Sequence, residues 1–545
     1  MQALKRLLKP GLIALLLAVF TLILLISTAP KIGLTWDEPA YIAAAKSYTA
    51  WFTQLFNNPS EALGDTAIRY YWTANHEHPP MDKVWSGFVW SGARHIFDDL
   101  LAHRLGNMIL VSVMVAVLYL WIEKSYGWIA GLSAVAALLA MPRFFFHAHL
   151  AALDVPAAFV VFMMTYCFVQ WIDKRSWVWT LILGLVFSVA IATKVNALFV
   201  PPTLFLWALI FHRRSYLLIR LVIATLIGIV ASNLYWPWLY QDFSSRLIEY
   251  IRFITVDHWE IWQWYLGEAY MPPPWHFPFV ILWAVVPLTT TILYFIGAVQ
   301  AVRDRKQDEG LGVLFILSAL VPLLALSIGQ SMVYDNDRLF MPAFPFLAAL
   351  AGIGFAWVVA AINKYVGQNQ RSWLAPALSV GLVLIVFLPP LVSTVSLYPH
   401  LLSYYAQSVG GLRGATKLEL ETTYWCETYA EALPYINENA EPGDIVWVQP
   451  WSHDVLVYYQ RMGILRPDIK IAAEEYANSV FGPALTLKPW TPYNAADFII
   501  FQYRQSYFGG REGQDYVTPK WLETHTPVYQ IKHQDIPLLS IFEGP

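Results

Sequence analysis

Charge is scarce in this chain, and cysteine nearly absent. Asp, Glu, Lys and Arg make up 13% of the 545 residues, against about a quarter in an ordinary soluble domain. That shortage excludes a single soluble globule. The net charge of −3 says little about nucleic acid, and without a basic domain or an RNA-binding motif no nucleic-acid partner is expected. Cys167 lies in an apolar run and Cys426 in a polar region, an arrangement that counts against a disulfide framework. P-loop spacing, a G-x-S-x-G elbow, HExxH and paired CxxC are all missing. So are internal repeats, low-complexity runs and heptads, which sets aside solenoids and coiled coils.

What the chain has is apolar length. Hydrophobic residues make up 57% and the mean hydropathy is +0.47, so we read a polytopic α-helical membrane protein. Its 25 Trp and 30 Tyr suit the lipid–water boundary. The first apolar stretch follows Lys5, Arg6 and Lys9; it is long for a secretory signal, lacks a convincing cleavage site and reads as a retained first span. Further apolar segments near 103–122, 127–142, 155–172, 177–192, 197–211, 217–236, 277–298, 312–329, 342–362 and 373–393 bring the count to about eleven spans. Lys124, Lys174 with Arg175, Arg213 with Arg214, and RDRKQ at 303–307 all fall on the side of Lys5 and Arg6. The positive-inside rule then puts the N-terminus in the cytoplasm of a plasma (inner) membrane and the C-terminus outside.

The composition changes near residue 394, dividing the chain into a membrane domain, 1–393, and a C-terminal domain, 394–545. ETYAEALPYINENAEPGD reads as a helix closed by a turn, whereas DIVWVQP, DIKIAA, ADFIIFQY and PVYQIKHQDIPLLSIF read as strands. The expectation is a small extracytoplasmic α/β domain.

Ionisable residues collect on the outer face. The first outside loop, 30–102, holds TWDEPAY, with Asp37 and Glu38, and NHEHPPMDKVW, with His76, Glu77, His78, Asp82 and Lys83. MPRFFFHAHLAALDVP carries Arg143, His147, His149 and Asp154, and YDNDRLFMPAFP carries Asp335, Asp337 and Arg338. Each has a plain structural reading. Asp37 and Glu38 could serve the helix start at Pro39, Asp154 could cap the next span, and Arg338 could pair with Asp335 or Asp337. Four such stretches on one face still point to function, because charge held beside a bilayer is costly. H-x-H spacing alone defines no metal site.

An acidic pair in the first outside loop, HPPMDK at 78–83 in that loop, and an Arg followed by an Asp in the second outside loop resemble the protein O-mannosyltransferase-like group of GT-C glycosyltransferases. That group includes the bacterial aminoarabinose transferases. HPPMDK is close to their HPPLGK-type pattern, with Asp82 where Gly is usual. The segment SYYAQSVGGLRGATKLELETTYW, 403–425, is similar to one that follows the last span in prokaryotic members. The resemblance covers about 1–390 and implies multi-span enzymes that use polyprenyl-phosphate sugars outside the cytoplasm. It leaves the acceptor open among lipid, glycan and protein, and the metal open between none and a divalent ion.

The chemistry agrees with that resemblance. A phosphate departs without a general acid, so one carboxylate taking the acceptor's proton suffices for inverting displacement, with cations steadying the phosphate. Asp37 fits the base, with Glu38 and Asp154 in support. Lys83, Arg143, Arg338, His78 and His147 are the candidates for binding the substrate. A transporter or lipid flippase is the alternative, but it would be expected to show repeated halves and ionisable broken helices at the midplane. Lys194 and Asn196 of ATKVNA read as a loop.

Overall fold

The computed structural model describes residues 9–174, 176–257, 260–328, 333–368, 374–473, 479–482, 484–489, 491–508 and 517–544. Lys5, Arg6 and Arg175, used above to orient the chain, lie outside the described residues.

Every apolar segment read from the sequence is helical. Among the described residues six helices are long and apolar enough to cross a membrane: Pro10–Lys31, Asp99–Tyr126, Asp154–Ile172, Ser215–Tyr235, Arg338–Val366 and Leu374–Leu397. Phe277–Val285 and Leu288–Asp304 form a pair bent by 118°, at an extended Val286 followed by Pro287, a residue that breaks the hydrogen-bond ladder. Trp128–Leu139, Trp177–Thr193, Val195–Phe211 and Leu311–Ser327 are shorter. At 12 to 17 residues they rise about 18 to 26 Å, less than the ~30 Å hydrocarbon core. The expected count of about eleven treated each of these as a full span.

The helices sort by what they bury. Asp99–Tyr126, Asp154–Ile172 and Arg338–Val366 are 61–67% buried and form the centre, whereas Leu374–Leu397 is 11% buried and turns its leucines and valines outward. Leu288–Asp304 and Phe344–Gln368 meet through glycine. A Cβ on Gly297 would stand 1.8 Å from the Leu350 carbonyl oxygen, and one on Gly354 would stand 2.1 Å from that of Leu293. Only hydrogen at both positions lets the backbones come this close.

One end of the bundle carries the basic loops. There the Tyr126 hydroxyl donates to Asp308 at 2.5 Å and the Trp207 indole to the Gly310 carbonyl at 2.7 Å, bringing the neighbourhoods of Lys124, Arg213 and Arg303 together. The other end holds Asp37, Asp154 and Arg338. The long loop 30–102, expected outside, is itself helical there, over Glu38–Asn57, Asp65–Trp72 and Met81–Ala93.

The last long apolar helix ends at Leu397, and of residues 398–428 Cys426 joins the core of the C-terminal domain, while most of the apolar side chains do not. Leu401, Leu402, Tyr404, Tyr405, Leu420, Tyr424 and Trp425 pack into the membrane-domain core instead. The α/β domain follows, beginning with helix Tyr429–Asn439. Numbering all strands in chain order, the hairpin Gln263–Tyr265 and Glu268–Tyr270 supplies β1 and β2. The domain holds β3 (Ile445–Gln449), β4 (Lys470–Ala473), β5 (Leu487–Pro489), β6 (Phe498–Gln502), β7 (Tyr529–His533) and β8 (Ile536–Glu543). The sheet order is β5-β4-β3-β6-β8-β7, parallel from β5 to β6 and antiparallel beyond. β6 is buried along its whole length, as expected for a parallel strand covered on both faces. On one face Val446, Val448 and Ile500 meet helices Tyr429–Asn439 and His453–Arg461. On the other, Trp447, Ile499 and Phe501 meet Trp521 and Phe542. The domain is docked on the loop 30–102: Tyr459 Oη accepts from the Leu34 amide at 2.6 Å, and Tyr458 Oη donates to Asp99 at 2.7 Å.

Candidate active site

Asp37 and Glu38 are adjacent and point apart. Pro39 opens the helix after them, and Asp37 sits at its N-cap with αR backbone angles and no side-chain cap bond, so capping does not consume its carboxylate. That side chain is 26% exposed and lines a cavity of about 390 Å³. Its Oδ2 accepts from Arg338 Nη2 at 2.6 Å and from the Tyr41 hydroxyl at 3.4 Å.

Glu38 is wholly buried. Arg104 donates to Oε1 through Nε at 2.8 Å and to Oε2 through Nη2 at 2.7 Å, while the amides of Thr35 and Ala151 complete the carboxylate at 2.9 and 2.8 Å. Arg104 also donates to the carbonyls of Ile32 and Gly33. Of the expected acidic pair, only Asp37 faces the cavity. Glu38 clamps the loop to the second helix, because its neighbour's direction into the cavity leaves it pointing into the protein.

Arg338 is the hub of the site. Asp335 and Asn336 both adopt left-handed φ values, 55° and 54°, and this turn folds Asp335 back beside the arginine. Arg338 donates through Nη2 to Asp37, through Nη1 to Asp335 at 2.7 Å and through Nε to Asp154 at 3.2 Å, with its guanidinium 4.3 Å from the Trp425 ring. Asp154 in turn accepts from Lys194 at 2.8 Å, and Asp335 from Arg504 at 2.7 Å. Three carboxylates thus face three cations, which is how charge survives burial.

Lys194 was read from the sequence only as a loop residue, and Arg504 was not singled out at all. A lone lysine closing the apolar helix Trp177–Thr193 was the available signal for the first, and an arginine just past the strand ADFIIFQ for the second. The segment 403–425, read only as a resemblance, supplies Trp425 under Arg338 and Tyr404, whose carbonyl accepts from Arg143 at 3.0 Å.

The other expected phosphate ligands are placed differently. Lys83 is buried, and Nζ donates to the Asn75 carbonyl, the Asn75 side chain and the His78 carbonyl at 2.8 to 2.9 Å. It anchors the loop from behind, because its first-turn position on Met81–Ala93 turns it under that loop. Arg143 is buried against Asp337 at 2.6 Å. His147 is buried with Nε2 3.3 Å from the Tyr424 hydroxyl, and its burial holds its pKa down at about 4. None of these three lines the cavity, whereas Asp37, His78 and Arg338 do. Burial raises the Asp37 carboxyl above its ordinary value; Arg338 opposes the rise, and the nearby charges of Asp335 and Asp154 add to it. Among the described residues no three His, Cys, Asp or Glu side chains converge as a metal site.

Residues 77–240 match the family described as dolichyl-phosphate-mannose-protein mannosyltransferase. Over the whole chain, the fold matches crystal structures of ArnT from Cupriavidus metallidurans, one bound to undecaprenyl phosphate and one in the apo state. Each has a TM-score of 0.52 and 16% identity, covering 96% of this chain and 97% of that one. The chain has the GT-C fold. AglB from Archaeoglobus fulgidus, in complex with an inhibitory peptide and a dolichol-phosphate, aligns at a TM-score of 0.42 and 10% identity over 89% of this chain and 69% of that one. No curated protein sequence matches the chain. The GT-C resemblance read from the sequence therefore meets a family match over the segment that holds HPPMDK, Arg143 and Asp154, and a fold match over nearly the full length.

Proposed function

We propose that this protein is a membrane glycosyltransferase that moves a sugar from a polyprenyl-phosphate carrier to an acceptor hydroxyl on the extracytoplasmic face, with Asp37 as the base. The observation that carries the reading is one uncapped, cavity-facing carboxylate held on an arginine at the polar end of a GT-C bundle. In the reaction the acceptor oxygen forms a bond to the anomeric carbon on the face opposite the phosphate. The bond from that carbon to the phosphate oxygen breaks with its electron pair, and the acceptor's proton passes to Asp37. A retaining hydrolase would require two carboxylates across the bond, and Glu38 points away.

The resting contact between Arg338 and Asp37 gives the donor a way to arm the base. Phosphate competes for Nη2, and its arrival frees the Asp37 carboxylate while the guanidinium takes up the departing charge. Asp154 fixes Arg338 from behind, and Lys194 keeps Asp154 compensated. An apolar pocket between helices Asp154–Ile172, Val195–Phe211 and Leu311–Ser327, lined in part by Leu339, supports a prenyl chain entering beside Arg338.

The test is incubation of purified protein with a panel of polyprenyl-phosphate sugars, following release of the lipid phosphate. Turnover with at least one donor, lost in Asp37→Asn, is expected. Absence of release from every donor, or release undiminished in the variant, overturns the assignment.

A further inference from the structure

The cavity has a second wall, built by the C-terminal domain. In its sheet β3 and β6 lie side by side and parallel, but the chain leaves them toward opposite faces. After β3 it forms helix His453–Arg461 on the face of Val446 and Ile500, and after β6 it reaches Trp521 on the face of Trp447 and Ile499. Where connections part in this way, a crevice opens at the carboxyl ends of the strands, the general ligand position in open α/β sheets. Here the crevice is made by Trp451, Ser452, His453 and Asp454 after β3 and by Arg504, Ser506 and Tyr507 after β6, and these residues line the same cavity as Asp37.

We propose that this crevice is the acceptor subsite and that its occupant is an uncharged, hydroxyl-rich saccharide ring. The proposal rests on the transferase reading above and names its acceptor class. Three features set the chemistry. The floor is aromatic: the Trp36 ring lies 6.3 Å from that of Tyr507, and Trp451 is tied to the same tyrosine by its amide, which donates to Oη at 3.2 Å. Indole and phenol faces of this kind receive the C–H face of a sugar. The hydrogen-bonding groups are unspent: among the described residues His453 Nε2 has no hydrogen-bond partner. Asp454 accepts from Ser479 and Val480 through Oδ1 alone, leaving Oδ2, 3.8 Å from that nitrogen, for a hydroxyl. The guanidinium is spent: Arg504 is committed to Asp335, the Tyr424 carbonyl and Ser506, so among the described residues the crevice offers an anionic head group a carboxylate and no unpaired arginine.

The experiment uses the full chain carrying Asp37→Asn, in nanodiscs, so that binding is read without turnover. Saturation-transfer NMR and tryptophan fluorescence would follow titration with maltose, cellobiose, diacetylchitobiose and mannobiose, with a Ser/Thr-rich peptide, and with glycerol phosphate. Saturable binding of at least one disaccharide is expected, weakened about tenfold or more by Trp451→Ala and by His453→Ala and unchanged by Lys488→Ala on the far strand β5. Because Trp451 also packs near Trp447, the partly buried His453, 22% exposed, gives a second, milder variant. Binding of the peptide or of glycerol phosphate alone, saccharide binding indifferent to both crevice variants, or no saccharide binding overturns the proposal. Saccharide binding that persists while no lipid phosphate is ever released would leave the crevice standing and defeat the transferase reading.

Discussion

Arg338 and Asp37, separated by 301 positions in sequence, meet at 2.6 Å, and the arginine reaches two further carboxylates from the same guanidinium. The base and the cation proposed for the leaving group are therefore one unit before substrate arrives. Asp37→Asn keeps the shape and one hydrogen bond while removing the charge. Lipid-phosphate release should fall by about a hundredfold or more, on the scale of general-base contributions, with insertion and thermal unfolding near those of the parent.

The rate should rise with pH through the pKa of Asp37, since the base acts only when ionised. Burial places that pKa above the ordinary carboxylate value, and the negative charge of Asp335 adds to the rise. Removing that charge lowers the Asp37 pKa, so in Asp335→Asn the acid limb of kcat/KM should move to lower pH. A limb that stays in place or moves upward would show that Asp37 is not the group being titrated.

Glu38 calls for the opposite expectation from its neighbour. Glu38→Ala strips Arg104 of its carboxylate in a site with no water access, a loss of about 3 to 5 kcal/mol for a broken buried pair. Thermal unfolding in detergent should drop markedly, while the protein that stays folded turns over within a few-fold of the parent. A full-stability Glu38→Ala with abolished turnover would return Glu38 to the catalytic set.

Lys83 makes three hydrogen bonds to the segment 75–78, and Asn75, Glu77 and His78 line the cavity. Lys83→Met should destabilise the protein by on the order of 3 kcal/mol, the net worth of a few charge-assisted bonds, and loosen that loop. Hydrogen exchange should increase at 74–79 first. Weakened donor binding without faster exchange there would favour direct contact with phosphate instead.

Much of this architecture was legible because its signals are local. Apolar runs located every helix of the bundle, and the basic loops sorted its two ends. Alternation and turn residues found β3, β4 and β6, and PVYQIKHQDIPLLSIF, read as a single strand stretch, folds back at Gln534 and Asp535, both at positive φ, into the hairpin of β7 and β8. Site residues on one face could be gathered from HPPMDK, MPRFFFHAHLAALDVP and YDNDRLF, since charge beside a bilayer is conspicuous. What each charge does was not legible, because partners lie far off in sequence: Arg104 for Glu38 is 66 positions away and Asp337 for Arg143 is 194. Lys83 and Arg143 look alike on the page as phosphate ligands and prove to be spent inside the protein. The count of about eleven spans stays open for a geometric reason, as a run of 12 to 17 apolar residues shows that a segment is buried in protein or lipid without fixing that it crosses.

Topology offers the last test, since chemistry on the wrong side would void the reading. Asp37, Asp154, Asp335, Arg338 and Arg504 are joined by direct contacts, so the first loop, the helices' polar ends and the C-terminal domain share one face. The contact of Tyr126 with Asp308 lies at the other end of a 28-residue helix, about 40 Å away at the rise of an α-helix. Single cysteines would read this with an impermeant thiol reagent in intact cells. Ser60 is exposed and serves for the first loop. Lys520 is exposed and serves for the C-terminal domain, and the exposed Gln307 serves for the opposite end, beside Asp308, which accepts from Tyr126, Gly310 and Gly312. Cys167 must be replaced, while Cys426 is fully buried and can stay. Cysteines at Ser60 and Lys520 should label from outside and one at Gln307 only after permeabilisation, as the positive-inside rule requires. Labelling of all three from outside would remove the two-sided topology. Labelling of only the Gln307 cysteine in intact cells would turn the whole site to the cytoplasm, where transfer on the outer face is impossible.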